Sequence, residues 1–264
     1  ARSPRAIITP TRRLRIAVLG DFDGVHARSW LGWFVDRGHD VHTVSYYAPA
    51  RPLDGVTVHA LRPRSAASSS HRASPSSPSV ARSRIPRGVM RLVHGARYLR
   101  AGLRRTLREV APDVTHAHFV VEHGFYGALA RVHPYVVTAW GSDILVEPER
   151  DPISKMIARW TLRQADLATS NNAWMAQRMI ALGAPRDRIE QITLGADRYF
   201  LDERERSVNV AAPEAAHVPV VLSTRAHEPL YNVTEIVDAY DRVARQRPET
   251  RLVIAHGGSL TPTI

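Results

Sequence analysis

The sequence predicts an α/β fold built on a doubly wound parallel sheet. Short runs of aliphatic and β-branched residues alternate with longer segments in which apolar residues recur at helical spacing. The opening unit is strand–helix–strand: a strand at 14–19, a helix that ends before Gly38, and a second strand at 41–46. Because parallel strands need a crossover between them, helices are expected on both faces of the sheet.

The later elements continue the same alternation. Further strands are predicted at 56–61, 112–119, 135–139, 165–170 and 189–194, and helices at 124–132, 152–163 and 172–182. This pattern predicts one complete Rossmann-like domain over residues 12–200, in which the Ser- and Pro-rich segment 64–83 is a mobile surface loop.

A second, smaller domain is predicted after a linker at 201–217. Strands at 218–222 and 252–255 flank a helix at 233–247. One such unit is too small to bury a core of its own. Residues 218–264 are therefore expected to be the truncated start of a second Rossmann-like domain.

Composition and charge exclude several function classes. The 264 residues contain no cysteine, which excludes disulfides and thiolate metal sites. No apolar run reaches the roughly 20 residues of a membrane helix. The first residues do not resemble a signal peptide, so the cytoplasm is the expected compartment. The net charge of +11 favours anionic partners, but the motifs of nucleic-acid-binding proteins are missing and no nucleic-acid partner is expected.

Residues 85–110 predict a basic amphipathic helix. Its apolar positions recur at helical spacing, and arginines occupy the other faces. The apolar positions are Ile85, Val89, Leu92, Ala96, Leu99, Leu103, Leu107 and Val110. Two interpretations stay open: a helix that covers the sheet with a solvated cationic face, or residues 84–108 in contact with an anionic membrane surface or a lipid-linked substrate.

The loop after the first strand is a candidate ligand site. Gly24, His26 and Arg28 stand at a helix entry, where free N–H groups favour a polar or anionic ligand. A solvated first turn is the alternative. The glycines do not form the G-x-G-x-x-G pattern of dinucleotide sites, so NAD binding is not expected.

Two histidines point to the same side of the strand at 112–119. His116 and His118 are two residues apart, and His123 follows with Glu122 beside it. A metal site is one hypothesis, but three imidazoles with a single carboxylate make a poor ligand set. A histidine at a strand's carboxyl end more often bonds a ligand or a loop.

The strand at 135–139 ends abruptly in a small polar loop. Trp140, Gly141, Ser142 and Asp143 stand where ligands collect in open α/β sheets. The loop offers an indole at Trp140, a hydroxyl group at Ser142 and a carboxylate at Asp143 to a ligand. The alternative is an Asx or Ser turn that caps the next helix. Ser142 does not lie in G-x-S-x-G, so a hydrolase is not supported.

Taken in order, these segments resemble the retaining, GT-B-fold glycosyltransferases of family 4, also called glycosyl transferase group 1. The matching blocks are Gly-His-Asp-Val at 38–41, Pro-Asp-Val-Thr-His-Ala-His at 112–118, Val-Thr-Ala-Trp-Gly-Ser-Asp at 137–143, Leu-Gly-Ala at 182–184, Gly-Ala-Asp at 195–197 with Phe200, Ser-Thr-Arg at 223–225 with Glu228 and Pro229, and Pro-Glu-Thr-Arg-Leu-Val-Ile at 248–254. Each block is short, and their common order carries the resemblance.

The resemblance implies a two-domain enzyme that moves a sugar from a nucleotide-diphosphate sugar to an acceptor, without a cofactor or a required metal. The acceptor would be a cell-surface or lipid-linked glycan, held by the first domain at the loops described above. Arg225 matches the family's arginine that reaches the donor diphosphate, and Gly195 and Asp197 match an interdomain loop.

Three departures from the family pattern weaken the expectation of activity. Trp140 stands where the family often has a histidine, Tyr231 stands where it usually has a phosphate-binding lysine, and the later half of the donor domain is missing. The catalytic residues therefore stay unassigned, and the chain is expected to be an inactive fragment. The alternatives are a sugar-nucleotide epimerase of the same fold and a non-catalytic glycan- or lipid-binding pseudo-enzyme.

Overall fold

The structure is a computed structural model that describes residues 12–51, 53–63, 85–193, 195 and 218–264. The predicted loop at 64–83 and the predicted linker at 201–217 lie outside these residues. The chain divides into two compact units, residues 1–197 and 198–264.

Unit 1 is built on a sheet of seven parallel strands. They are β1 (Arg15–Leu19), β2 (Asp40–Ser45), β3 (Val56–Ala60), β4 (Val114–His118), β5 (Tyr135–Thr138), β6 (Leu167–Ser170) and β7 (Ile189–Gln191). Their spatial order is β3-β2-β1-β4-β5-β6-β7, so the order reverses between β1 and β4. The predicted α/β fold is confirmed, and every strand lies within about three residues of its predicted bounds.

Helices cover both faces of this sheet. They are α1 (Val25–Asp36), α2 (Arg87–Arg100), α3 (Leu103–Val110), α4 (Phe125–Ala130), α5 (Ser142–Leu145), α6 (Glu147–Arg150), α7 (Pro152–Gln164) and α8 (Ala173–Ala181). A π-helical turn, Val120–Gly124, precedes α4. The smaller apolar cluster packs beneath α1 and includes Leu31, and the larger one joins the other face to α2, α3, α4, α7 and α8.

The prediction of one continuous helix over 85–110 is wrong. The helix breaks at Gly102, whose φ of 101° lies in the left-handed region that glycine adopts readily. The break lets α3 turn towards the sheet, where Leu103, Leu107 and Val110 are buried as predicted.

The apolar positions that the sequence predicts for α2 do not form its buried face, so packing against the sheet through these positions is not what the structure shows. The buried residues are Gly88, Arg91, Gly95 and Tyr98, while Leu92 is exposed. Two glycines allow this close approach: a Cβ on Gly88 would lie 2.6 Å from the Ile153 Cβ, and one on Gly95 would lie 2.8 Å from Leu129 Cδ1.

A buried ion pair explains why an arginine faces inward on α2. Arg91 donates to Glu147 at 2.7 Å and to the Ser154 hydroxyl at 2.6 Å. Glu147 also accepts from Arg87 and Arg150, each at 2.8 Å. Burial of Arg91 is tolerated because its charge is paired and hydrogen-bonded. Arg91 is therefore not part of the solvated cationic face that the sequence predicts for this segment.

Unit 2 has the strand–helix–strand arrangement that the sequence predicts. The parallel strands β8 (Val220–Ser223) and β9 (Arg251–Ile254) flank helix α9 (Val233–Gln246). A short 3-10 turn, Pro229–Tyr231, leads into α9.

Candidate functional site

The candidate site lies where the strand order of unit 1 reverses. Leu19, at the end of β1, pairs with Ala117 of β4, so Gly20 and His118 lie side by side at the carboxyl edge of the sheet. Crossovers leave in opposite directions from this point, which opens a crevice between the loops that follow β1 and β4. Ligands of open α/β sheets bind in such crevices.

His118 is the buried polar group at this point that lacks a partner. Its side chain is 2% exposed, and neither ring nitrogen has a hydrogen-bond partner among the described residues. Burial holds the pKa of His118 well below its ordinary value, and the neighbouring His116 and His123 lower it further. A neutral imidazole offers one donor and one acceptor. Leaving both unused costs free energy, so the site is suited to a ligand that supplies both.

Aromatic rings surround His118. The indole of Trp140 lies 5.3 Å from it and that of Trp30 lies 5.9 Å away, measured between ring centroids. Trp140 also stacks on His26, with 4.8 Å between centroids and 27° between planes. Trp140 is partly exposed and stands between an exposed and a buried imidazole. His26 therefore covers one face of the Trp140 indole.

A chain of buried hydroxyl groups supports the neighbouring histidine. His116 Nε2 lies 2.7 Å from Thr138 Oγ1, which lies 2.8 Å from Thr169 Oγ1. Burial lowers the pKa of His116 to about 4, so this ring is neutral at physiological pH. His116 and His118 point to the same side of β4, as predicted, and both contact Trp30. Of the two, His116 is satisfied internally and His118 is not.

Asp143 is held by the backbone and does not face the crevice. Its carboxylate is fully buried and accepts from the N–H groups of Val120 at 2.8 Å, Trp140 at 3.0 Å and Gly141 at 2.8 Å. Burial raises the pKa of Asp143 to about 6, against the lowering effect of these bonds. The arrangement favours the turn-forming role that the sequence left open, whereas Ser142 stays partly exposed.

The start of α1 brings Gly24 and His26 to the crevice. Gly24 is the N-cap residue, and no side chain caps the first turn. Arg28 donates to the carbonyl oxygens of Arg51 at 2.7 Å and Phe22 at 3.4 Å, so it ties the loop after β1 to the segment after β2.

A second polar group near the crevice was not assigned from the sequence. Glu122 is partly buried, and burial raises its pKa to about 7. Tyr126 lies four residues further on, and its buried hydroxyl group has no partner among the described residues. Tyr126 stacks on Tyr98, with 4.6 Å between ring centroids. The sequence analysis considered Glu122 only as a possible metal ligand. Its four-residue spacing to Tyr126 was the feature of the sequence that could have indicated two polar groups on one side of a helix.

The described part of the chain contains no cluster of three or more histidine, cysteine, aspartate or glutamate side chains that could hold a metal ion. The hypothesis of a metal at His116, His118 and His123 therefore has no geometric support there. Burial lowers the pKa of His123 to about 4, and its ring lies against Tyr126.

In unit 2, Arg225 and Tyr231 lie together. The Arg225 guanidinium carbon is 5.7 Å from the centre of the Tyr231 ring, and both side chains are exposed. Both stand at the carboxyl end of β8, before α9. Gly195 is exposed, and Asp197 lies outside the described residues.

Comparison with protein families matches residues 23–195 to the Glycosyl transferase 4-like domain. This match covers well over half of the chain and includes the start of α1 and the loops after β4 and β5. The chain belongs to the glycosyl transferase 4-like family. The glycosyltransferase family predicted from the ordered blocks is thereby confirmed, while the assignment to family 4, the retaining mechanism and the truncation stay predictions. No curated protein matches the sequence.

Solved structures show which fold this family member shares. The chain is similar to HepE of Anabaena in complex with UDP and glucose, with TM-score 0.55, 15% identity, and coverage of 95% of this chain and 63% of that one. The chain is also similar to sucrose-phosphate synthase from Thermosynechococcus elongatus, with TM-score 0.54, 12% identity, and coverage of 93% of this chain and 71% of that one. A third similar structure is UDP-GlcNAc 2-epimerase from Neisseria meningitidis bound to UDP-GlcNAc, with TM-score 0.53, 13% identity, and coverage of 96% of this chain and 67% of that one.

These similarities confirm the GT-B-like fold class and, at such identities, the fold alone. The chain spans between 63% and 71% of the length of these three structures. Within the described residues, no helix combines the length and apolar character needed to cross a membrane.

Proposed function

We propose that this glycosyl transferase 4-like protein transfers a sugar from a nucleotide-diphosphate sugar to a cell-surface or lipid-linked glycan acceptor. The observation that carries the proposal is His118, a buried imidazole with both ring nitrogens unpartnered at the switch point of a glycosyltransferase fold. We further propose retention of the anomeric configuration, no required metal, and action in the cytoplasm or on the inner face of the cell membrane.

The chemistry of the crevice suits an acceptor hydroxyl group. A neutral imidazole can accept a hydrogen bond from one hydroxyl and donate to another, so His118 would orient the sugar rather than neutralise a charge. Trp140 and His26 supply a flat aromatic surface against which the apolar face of a sugar ring can pack. Asp143 supports this surface because it holds the N–H groups of Val120 and Trp140.

Arg225 is proposed as the donor-binding residue. A guanidinium forms forked, charge-assisted hydrogen bonds to phosphate and offsets the charge that develops on the leaving diphosphate. Tyr231, beside it, can donate a hydrogen bond but adds no charge. The similar HepE structure was solved with UDP, which is consistent with a diphosphate donor here.

The direct test is a transfer assay on the full-length protein with a panel of nucleotide sugars and glycan acceptors, read by mass spectrometry. Transfer to at least one acceptor is expected. Arg225→Ala should weaken donor binding by about a hundredfold, in line with the loss of a charge-assisted phosphate contact. Arg242→Ala, an exposed arginine on α9, is the control and should leave donor affinity unchanged. Equal affinities for both variants would contradict the role of Arg225.

A sugar-nucleotide epimerase is the second candidate, because Glu122 offers an acid–base group with a pKa of about 7 near the crevice. Incubation with a nucleotide sugar and no acceptor separates the two activities. An epimerised nucleotide sugar would support the second candidate, whereas a product that forms only with acceptor supports transfer. Glycan binding without either product would identify a pseudo-enzyme.

A further inference from the structure

Glu122 is a half-buried carboxyl group whose side chain makes no hydrogen bond or ion pair with the described part of the chain. The positive charge that acts on it belongs to Arg91, and that guanidinium is already bonded to Glu147 and Ser154. Burial raises the pKa of Glu122 to about 7, because an ionised carboxylate there lacks compensation. A ligand that supplies positive charge and hydrogen-bond donors would therefore stabilise the ionised form.

Tyr126 places a second unpartnered polar group close to Glu122. The two residues are four positions apart, in the turn Val120–Gly124 and in α4, so they lie about one helical turn from each other. Tyr126 is 1% exposed, and its hydroxyl group has no hydrogen-bond partner among the described residues. Burial, and after it the charge of the nearby Glu122, raises the pKa of this hydroxyl group. A ligand that bonds one of the two groups can therefore bond the other.

Tyrosine rings and a second carboxylate border these two groups. Tyr98 stacks on Tyr126 at 4.6 Å between ring centroids, and Tyr46 lies 5.2 Å from Tyr98. The exposed carboxylate of Asp21 is near enough to raise the pKa of Glu122 further. Because Asp21 belongs to the loop after β1, this loop borders both the crevice and the group around Glu122.

His123 connects this group to the crevice. Its ring centroid lies 5.8 Å from that of Tyr126, and it is close enough to His118 to influence the pKa of that ring. Burial lowers the pKa of His123 to about 4, so His123 is neutral and supplies no positive charge to Glu122. An acceptor with a hydroxyl group at His118 can therefore present a substituent of the same or the next sugar ring to Glu122.

The two carboxylates carry negative charge in a chain whose net charge is +11. Of the described arginines on α2, Arg91 is paired with Glu147, and the Arg97 guanidinium lies 5.3 Å from the ring centre of Tyr46. An anionic ligand would be repelled by the carboxylates, and a neutral one would leave their charge uncompensated. A cation would offset this charge.

We propose that Glu122 and Tyr126 form a subsite for the ammonium group of an amino sugar, beside the crevice that holds the reacting hydroxyl group. An ammonium group has one positive charge and three N–H donors. Glu122 offsets the charge and accepts one hydrogen bond, the phenol oxygen of Tyr126 accepts a second, and the tyrosine rings attract the cation. The inference rests on the proposed function, because it names the class of acceptor: a glycan with a free amine.

The affinity for matched sugars tests the subsite in the full-length protein. Methyl glycosides with an amine at one carbon are compared, by isothermal titration calorimetry at pH 7, with the same sugars that carry a hydroxyl or an N-acetyl group there. At least one amino sugar should bind about tenfold or more tightly than both of its counterparts, through a charge-assisted hydrogen bond. Equal affinities for the three forms, or tighter binding of the hydroxyl or N-acetyl form, would overturn the proposal.

Variants assign the preference to the two residues. Glu122→Gln keeps the size of the side chain and removes its charge, so it should abolish the preference for the amine and leave binding of the hydroxyl form nearly unchanged. Tyr126→Phe should weaken amino-sugar binding by less, about threefold to tenfold, since it removes one uncharged acceptor. Glu190→Gln, at an exposed glutamate on β7, is the matched control and should keep the full preference. A preference that survives Glu122→Gln, or that Glu190→Gln also removes, would contradict the assignment.

Sugar transfer measured with the same proteins separates this inference from the proposed function. A preference for the amine in binding, without transfer to any acceptor, would contradict the proposed function and leave the subsite intact. Transfer to acceptors without a preference for the amine in binding would contradict the subsite and leave the proposed function intact.

Discussion

The carboxylate of Asp143 accepts a hydrogen bond from the backbone N–H of Val120 at 2.8 Å and thereby joins the loop after β5 to the loop after β4. The same carboxylate accepts from Trp140 and Gly141, so it fixes both walls of the crevice around His118. Phe119, directly after His118, has a φ of 68°, which is unusual for a residue with a bulky side chain. The Asp143 carboxylate accepts the hydrogen bond of the backbone N–H of Val120, the residue directly after Phe119.

Asp143→Asn should destabilise the protein by about 2 kcal/mol, because an amide can present only one oxygen to three N–H groups. The NH2 group of the asparagine would point at a backbone N–H group, and two donors cannot form a hydrogen bond with each other. Urea unfolding measures the loss. Glu149→Gln, at an exposed ion pair with Arg178, is the control and should cost well under about 1 kcal/mol. A loss no larger than that of the control would show that Asp143 does not hold the loops.

The titration of Glu122 should make stability depend on pH. Because its pKa is about 7 in the folded protein and 4.5 ordinarily, the folded state binds more protons than the unfolded state between these values. The free energy of unfolding should therefore fall as pH rises from 4.5 to 7, by about 2 kcal/mol from this group.

The difference in unfolding free energy between wild type and Glu122→Gln isolates this effect, since other titrations cancel in it. The wild type should lose stability relative to Glu122→Gln as pH rises over this interval, and the difference should level off only above about pH 8, where Glu122 is ionised in both the folded and the unfolded state. A difference that is constant with pH would mean that burial does not raise the pKa of Glu122.

The glycines of α2 should be intolerant of any side chain. A Cβ on Gly88 would lie 2.5 Å from Asp151 Oδ1, so Gly88→Ala should destabilise the protein by more than about 2 kcal/mol. Gly32→Ala on α1 is the matched control, because nothing lies within 4 Å of a Cβ there. That substitution should be stabilising by about 0.5–1 kcal/mol through helix propensity. Thermal unfolding of both variants checks the contrast, and two losses of similar size would contradict the packing of α2.

The strands and most helices could be predicted from sequence because each is encoded by its own residues. β1, β4 and β5 are runs of aliphatic and β-branched residues, and their polar ends mark the carboxyl edge of the sheet. His116 and His118 share a side through the two-residue period of a strand. These local patterns were sufficient to locate the crevice.

The orientation of α2 could not be predicted, because residues far away in the sequence determine it. Arg91 is turned inward by Glu147 and Ser154, more than fifty positions further on. The stacking of His26 on Trp140 and the three bonds of Asp143 also depend on loops that meet only in the folded sheet. Periodicity alone left open which face of α2 packs inward, and the ion pair fixes the face that carries Arg91.

The central claim is that His118 is kept unpartnered for an acceptor, and a pair of phenylalanine variants tests it most directly. His116 and His118 are both buried on one side of β4, but only His116 has an internal hydrogen bond. Unfolding free energy and sugar transfer should be measured for His118→Phe and His116→Phe in the full-length protein. We expect His118→Phe to be as stable as the wild type or more stable, yet to lose transfer about a hundredfold or more. His116→Phe should instead lose about 1–3 kcal/mol of stability. A His118→Phe protein that is destabilised, or that transfers sugar at the wild-type rate, would contradict the claim.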